Sequence, residues 1–310
     1  MKYSNRIFTL LFSIISLVFL CSCKSAKVDS SIDISQAANE LKNTEYYKKM
    51  DGSTACLPLA TLVMQRMTGC DKETAAATLN FSTTTGAVSN LEGKDMRAGG
   101  FLPPEEITKD IALMYESADL LSSNLLEYHT IGADGLVFLV NKNNPVESIT
   151  TEQIRDIYAG KITNWQEVGG EDKEIAVFNR DAASGSGVMM DKLVMQGTPY
   201  SDYARQYIIN TMEGLITEMA EYNGEDNAIG YSVYYYIQNM NNNPDLKLLN
   251  INGIEPSNST IANGEYPLTN DFYVVIRKEA PENSAARVLM NWMLSDEGKQ
   301  TVIDAGYAGK

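Results

Sequence analysis

The chain has 310 residues, 44% of them hydrophobic and 21% charged, with a formal charge of −15. That composition belongs to a folded globular protein of one large domain or two ordinary ones, and it excludes intrinsic disorder. The acidity is spread without a long like-charge block, so it reads as solvated surface and gives nucleic-acid binding no electrostatic support.

The first segment, MKYSNR, carries Lys2 and Arg6 and leads into the fourteen-residue apolar run IFTLLFSIISLVFL. That run is too short for a membrane span and suits the core of an export signal. LCSC (20–23) follows, then polar KSAKVDSS. Leu20 and Ser22, at −3 and −1 from Cys23, resemble the lipobox of bacterial lipoproteins. The small residue opens the bond to the peptidase and the Cys23 thiol is the acyl acceptor. Cys21 in that role would place Leu20 at −1, where a small residue is required. Residues 1–22 are thus expected to be a signal peptide, Cys23 the palmitate-bearing first residue, and 23–43 a polar tether. Loss of Lys2 and Arg6 takes the formal charge from −15 to −17. The localisation this implies is the extracytoplasmic face of the cell membrane.

EYYKKMDG (45–52) is a strand candidate running into a turn. CLPLATLVMQRMTG (56–69) is apolar at helical spacing, with Pro58 in its first turn and Gly69 as its stop. Cys56 and Cys70 flank that helix; its ~13 residues span ~20 Å, too far for a disulfide, so two free thiols are expected. ATLNFS (77–82) looks strand-like, and TTTGAVSNLEG makes a turn and a short helix. DGLVFLVN (134–141) is a buried strand by its continuous apolar run. TTEQIRDIYAG (150–160) is a helix opened by a capping Thr and closed by Gly160. EIAVFN (174–179) is a strand, followed by a helix that Gly197 ends. NAIGYSVYYYIQ holds a strand and a turn, YPLTNDFYVVIRK (266–278) another strand, and residues 284–306 a long amphipathic helix broken near Asp296. Alternating strands and helices predict an α/β protein with mainly parallel sheets.

Three stretches share one design of strand, Ser/Thr/Gly turn and helix: DGSTACLPLA (51–60), FSTTTGAVSNL (81–91) and NRDAASGSGVMM (179–190). A helix start presents unpaired N–H groups and the positive end of the macrodipole. Hydroxyls add donors there, and glycine admits a ligand to the backbone. Arg180 supplies one full charge on a planar fork. The design suits a compact oxyanion. Any one Ser or Thr here is by itself an ordinary N-cap; it is the threefold repetition with an arginine that points to a ligand.

Enzymatic signatures are missing from the sequence. No GxSxG elbow, SxxK pair or GxxxxGK[ST] loop occurs. His129, the one histidine, lies in LLEYHTIG with no motif around it, and a single histidine gives no basis for a transition-metal site. The tyrosine cluster in YSVYYYIQ and the methionines of VMMDKLVM read as packing, and Glu105-Glu106 after Pro103-Pro104 as a helix start.

With those residues in view, the chain resembles the phosphate-type substrate-binding lipoproteins of ABC importers, in the periplasmic binding protein superfamily. The resemblance runs from about Met50 to the C-terminus and is densest over residues 134–170, through the scaffold segment GKITNW (160–165). It implies a two-lobe α/β fold, each lobe a mostly parallel sheet flanked by helices, joined by two crossing strands. Lobe one is expected at 44–133 and 268–310, and lobe two at 134–267. The binding motifs are DGSTA, the hydroxyl-rich turn at 82–86, and R-x-x-x-S-G-S at 180–186. Carried over position by position, the phosphate-binding residues are Ser53, Thr54, Ala55, Thr83, Thr84, Arg180, Ser184, Gly185 and Ser186. In two places the sequence departs from the family pattern. Gly100, with Arg97 three residues before it, aligns where relatives selective for phosphate carry an Asp, and Ala182 where they carry an acid, though Asp181 is adjacent.

The expected function is capture of inorganic phosphate between the lobes and delivery to an ABC permease. The protein would act as a monomeric binding protein, not an enzyme, without cofactor or metal, reaching the membrane through its lipid anchor. Sulfate or molybdate is the alternative ligand, and a membrane-anchored sensor or adhesion module the alternative role; a hydrolase ranks third.

Overall fold

A computed structural model describes residues 34–95, 99–103, 106–182, 184–222 and 226–310. The signal segment, Cys23, Arg97 and Glu105 lie outside the described residues. The expected tether does not extend through residue 43: Ile34–Leu41 is helix α1, with Ala37 and Leu41 buried on one face. Thr44–Lys49 is a 3₁₀ turn rather than the expected strand, and only Met50–Gly52 extends, as β1. Asn43 Oδ1 accepts from Glu45 N at 3.1 Å and Tyr47 OH donates to Leu41 O at 3.0 Å. These local bonds compete with a strand ladder.

Helix α2 (Leu57–Thr68) carries Pro58 in its first turn and ends at Gly69 with φ 73°. Helix α3 (Lys72–Thr78) takes the start of the stretch expected as a strand, and residues 79–83 join no sheet. Helix α4 (Thr84–Glu92) follows, then the ribbon β2 (Lys94–Asp95) and β3 (Gly100–Phe101). Next come β4 (Ile111–Tyr115), α5 (Ala118–Ser122) and β5 (Leu126–Asn141), which begins eight residues before the expected Asp134. Beyond β6 (Ser148–Ile149), α6 (Thr151–Tyr158) opens with a Thr150–Gln153 capping box, and β7 (Ala176–Arg180) leads to α7 (Gly185–Met190). A π-helical turn, Asp191–Met195, prolongs α7, and the helix is capped by Gln196 in the left-handed region (φ 48°), one residue before the expected stop at Gly197. Then β8 (Tyr207–Ile209), α8 (Met212–Glu221), β9 (Ala228–Val233) and α9 (Tyr234–Asn239) follow. The chain closes with β10 (Leu246–Leu248), β11 (Asn250–Ile251), α10 (Asn258–Ala262), β12 (Thr269–Arg277), α11 (Ala285–Met293), α12 (Asp296–Asp304) and β13 (Ala308–Gly309). The break expected near Asp296 separates α11 from α12, where Ser295 caps the second helix.

Among the described residues, one nine-stranded sheet has the order β1-β4-β12-β5-β9-β7-β8, with β10 and β13 also on β5. Both flanks are parallel, β1 on β4 and β8 on β7 on β9. The middle is antiparallel, because β12 runs between β4 and β5, and β5 against β9. Strand β5 changes partners along its length: residues 126–135 pair with β12, and 136–140 with β9. Residues 131–140 of β5 are buried without a break, as cover on both faces requires, whereas 127–130 are partly or fully exposed. In β4 the faces alternate as a strand requires: Ile111, Leu113 and Tyr115 join the main core, while Ala112 and Met114 pack under α4 through Ala87, Val88 and Leu91. Cys56 and Cys70 are free thiols, Cys56 buried.

Candidate functional site

The first turn begins where β1 ends. Gly52 has φ +152°, and a Cβ there would stand 1.9 Å from Leu113 O, so only glycine lets β1 leave β4 at this point. Ser53 turns the chain into the 3₁₀ turn Thr54–Cys56 and then α2. The Ser53 hydroxyl accepts from Tyr115 N at 3.1 Å and shares a 2.6 Å hydrogen bond with Thr84 Oγ1. Either hydroxyl of that pair can be its donor, so one O–H of the two remains for another acceptor.

The second turn is fastened to the first by Asp51, whose side chain is fully buried. Its Oδ1 accepts from Gly52 N (2.8 Å), Ser82 N (2.7 Å) and Ser82 Oγ (2.9 Å), and its Oδ2 from Asn90 Nδ2 (2.7 Å). These bonds explain why 79–83 is extended yet unpaired: the Ser82 amide goes to a carboxylate instead of a neighbouring strand. Thr83 then caps α4 by accepting from Gly86 N at 3.0 Å.

The third turn follows β7. The Arg180 amide donates to Asn179 Oδ1 (2.9 Å) and Tyr231 OH (3.2 Å), and Tyr231 OH donates to Asn179 Oδ1 (2.6 Å). The backbone under the guanidinium is therefore fixed. Arg180 is 6% exposed and Ser186 3%. Arg180 Nε and Nη1 and Ser186 Oγ are buried without a hydrogen-bond partner in the protein. Burial pulls the guanidinium below its ordinary pKa, opposed chiefly by Tyr231 and Asp181. A buried, unpaired donor of this kind costs about 1–3 kcal/mol, more when charged, unless something accepts from it. Ser184 differs from Ser186: its Oγ donates to Asp181 O (2.6 Å) and accepts from Gly187 N (3.1 Å), so its hydroxyl proton is spent locally. At Gly187 a Cβ would come within 2.3 Å of Asp181 O, which keeps this turn glycine.

The structure brings all nine expected residues to one cavity of about 610 Å³. Ser53, Thr54, Ala55, Thr83 and Thr84 line it from the first two turns, and Arg180, Ser184, Gly185 and Ser186 from the third. The first turns of α2, α4 and α7 leave N–H groups without intrahelical partners. Their convergence beside one guanidinium is an arrangement whose chemistry suits an anion. Six further lining residues escaped the sequence reading as site residues: Tyr115, Asp181, Asn210, Thr211, Met212 and Val233. Thr211 carried a readable signal, since YIINTMEG repeats the design of strand, hydroxyl turn and helix. It caps α8 by accepting from Gly214 N at 3.0 Å.

Gly100 does not reach this cavity. It sits exposed in the β2–β3 ribbon, and the strand end that does reach the cavity is that of β4, at Tyr115. Ala182 is also outside the lining, where Asp181 stands instead. Behind Tyr115 lies a carboxyl group, Asp134, 2% exposed, which accepts from Tyr115 OH (2.7 Å), Gly135 N (2.8 Å) and Tyr235 N (3.0 Å). Burial pushes its pKa up to about 6 against the pull of those bonds. His129 lies on β5 beside Glu127 Oε1 at 3.0 Å and does not line the cavity. Among the described residues no group of three or more His, Cys, Asp or Glu side chains is placed to hold a metal ion.

A family model described as a PBP superfamily domain matches residues 37–297. The phosphate-binding protein PstS of Bacillus subtilis (strain 168) is 25% identical over 193 residues, covering 62% of this chain and 60% of that protein. PstS of Staphylococcus epidermidis is 30% identical over 206 residues, covering 62% of this chain and 59% of its own length. The chain thus spans about three-fifths of the curated relatives it matches. An ABC-type phosphate transport receptor from Vibrio cholerae superimposes with TM-score 0.62 at 23% identity, over 84% of this chain and 99% of that one. A putative phosphate ABC transporter substrate-binding protein with bound phosphate, from Clostridium perfringens, gives TM-score 0.60 at 22% identity, over 84% and 98%. At those identities the likeness is one of fold.

Proposed function

The chain belongs to the PBP superfamily, and on that premise we propose that it captures inorganic phosphate outside the cytoplasm and delivers it to an ABC import permease. The observation that carries this reading is the set of buried donors with no protein partner, Arg180 Nε and Nη1 and Ser186 Oγ, at a cavity where three helix-opening turns meet. The relatives' names, phosphate-binding protein PstS, support the choice of phosphate. Each charge-assisted hydrogen bond contributes about 1.5–3 kcal/mol, so a handful offsets the losses of association and closure. The net negative charge does not forbid it, because bonds at ~3 Å act well inside a screening length of about 8 Å.

In this reading lobe one is 44–133 with 268–310 and lobe two is 134–267, β5 and β12 being the crossing strands. Ser53, Thr54, Ala55, Thr83 and Thr84 then belong to lobe one, and Arg180, Ser184, Gly185 and Ser186 to lobe two. An anion bound by both sets favours the closed form by its differential affinity. The first 22 residues act as the signal peptide, and Cys23 carries the acyl chains that hold the monomer at the membrane.

Titration calorimetry with phosphate, sulfate and molybdate tests the ligand. Heat with phosphate, with affinity about a hundredfold or more weaker in Arg180→Ala, is expected; no heat from any of the three removes the receptor reading. Metabolic labelling with palmitate, lost in Cys23→Ala, is the expected result for the anchor.

A further inference from the structure

Strands β7 and β9 separate before they reach the cavity. They pair at Ala176↔Ala228 and Val177↔Ile229, whereas β8 stays on β7 up to Arg180↔Ile209. Arg180 of β7 and Val233 of β9 then both line the cavity. Backbone groups two residues apart on a strand face the same edge. Ala176 N donates to Asn227 O, just before β9, at 3.0 Å. Phe178 O and Arg180 N therefore face the β9 edge as well, past the end of the ladder.

Two tyrosine hydroxyls take the place of the missing ladder. Tyr158 OH donates to Phe178 O at 2.9 Å. Tyr231 OH accepts from Arg180 N at 3.2 Å and donates to Asn179 Oδ1 at 2.6 Å, and the same Oδ1 accepts from Arg180 N at 2.9 Å. The two rings meet edge to face with centroids 5.7 Å apart, and Phe138 of β5, the pairing partner of Tyr231, stands 5.8 Å from the Tyr231 ring. Tyr158 and Tyr231 are fully buried and Asn179 nearly so. These side chains satisfy the β7 backbone without drawing β7 onto β9. At the far end of Arg180, Nε and Nη1 have no partner in the protein, so these two donors take their direction from the backbone end of the side chain. We propose that Tyr231 and Asn179 are positioning residues for the oxyanion: they hold the Arg180 backbone in the gap between β7 and β9 and so aim Nε and Nη1 at the ligand. This rests on the oxyanion reading above.

Phosphate calorimetry and urea unfolding of the full chain test it. Tyr231→Phe, which keeps the ring and loses the hydroxyl, is expected to weaken phosphate binding by about threefold to tenfold. Asn179→Ala should weaken it by about tenfold, because its oxygen accepts both bonds; Tyr231→Phe serves alone if that variant does not fold. Tyr203 OH donates to Ile175 O, just before β7 begins, so Tyr203→Phe removes a bond of the same kind from the end of the strand away from Arg180. It should lower stability and leave phosphate affinity within about twofold. Added to Arg180→Lys, which has no planar fork to aim, Tyr231→Phe should cost less than about twofold. Three results overturn the proposal: unchanged affinity in Tyr231→Phe, an equal loss in Tyr203→Phe, or the full Tyr231→Phe loss persisting beside Arg180→Lys. Each leaves phosphate binding by the wild type, and with it the oxyanion reading, intact. No heat from phosphate, sulfate or molybdate with the wild type overturns both.

Discussion

Lys192, in the π-helical turn after α7, is ion-paired with Glu116, the residue that follows β4. The same ammonium reaches Asn270 Oδ1 on β12 at 2.9 Å, and Glu116 Oε2 accepts from Tyr273 OH at 2.7 Å. Burial alone raises the Glu116 pKa, but the bonds from Lys192 and Tyr273 hold it below the usual carboxylate range. In the proposed two-lobe arrangement this pair joins lobe two to lobe one without lining the cavity, so it favours the closed form.

Lys192→Met is therefore expected to weaken phosphate binding by about threefold to tenfold, the range of a part-exposed ion pair of about 1 kcal/mol. Small-angle scattering should show the unliganded variant more extended. Glu116→Gln should match it, and the double variant should be no worse than either single one, as a shared interaction requires.

Arg180→Ala should weaken phosphate binding by about a hundredfold or more, since it removes the one full positive charge that lines the cavity among the described residues, and its paired donors. Arg180→Lys keeps the charge but not the fork, so affinity is expected to recover only in part. Calorimetry reads both. A lysine variant equal to the wild type would mean that the planar fork makes no paired contact.

Asp51→Ala is a test of the clamp between the first two turns. It strands four donors that now share one buried carboxylate, and a loss of about 3 kcal/mol is expected on urea unfolding with little change in slope. Ser82→Ala leaves the backbone bond from Ser82 N in place and should cost about 1 kcal/mol. Phosphate affinity should fall further in the Asp51 variant than in the Ser82 variant, because only the former frees both turns.

Asp134 makes stability depend on pH in a defined direction. Its pKa moves from the ordinary aspartate value of 3.8 up to about 6 in the fold, through burial. The folded protein thus favours the protonated form. That contribution is full below about pH 4, fades as pH rises, and is gone above about pH 6. A shift of this size corresponds to about 3 kcal/mol. Asp134→Asn removes the titration, so the stability of the wild type relative to this variant should fall between about pH 4 and pH 6, measured by urea unfolding. A difference flat across that window would show that Asp134 does not titrate there.

Much of the site was legible because its signals are local. Thr83, Ser184 and the Thr150–Gln153 capping box are set by residues within three positions, and all three cap the helices that begin beside them. Glycine at 69 and the break before Asp296 are local in the same sense. Where the reading failed, long-range bonds had replaced the local preference. ATLNFS has the composition of a strand, yet α3 takes its start and Asp51, thirty-one positions from Ser82, takes the amide a ladder would need. The tyrosines at 234–236 are β-formers held in α9, where Tyr235 N donates to Asp134. Tyr115 gave no sign of standing in the cavity wall, because its place depends on β4 lying between β1 and β12.

The sequence by itself determined the inventory: an α/β chain, helix-opening turns rich in hydroxyls and glycine, and one arginine set beside the third of them. These depend on backbone torsion and on hydrogen bonds spanning a few residues, which neighbouring side chains decide. Only the tertiary structure decided that the turns face a common cavity, that Ser184 spends its hydroxyl on Asp181 O while Ser186 keeps its own, and that a buried Asp134 stands behind Tyr115. Those outcomes depend on which strands pair and in what register, and pairing is settled by burial across the whole core rather than by any short stretch of chain.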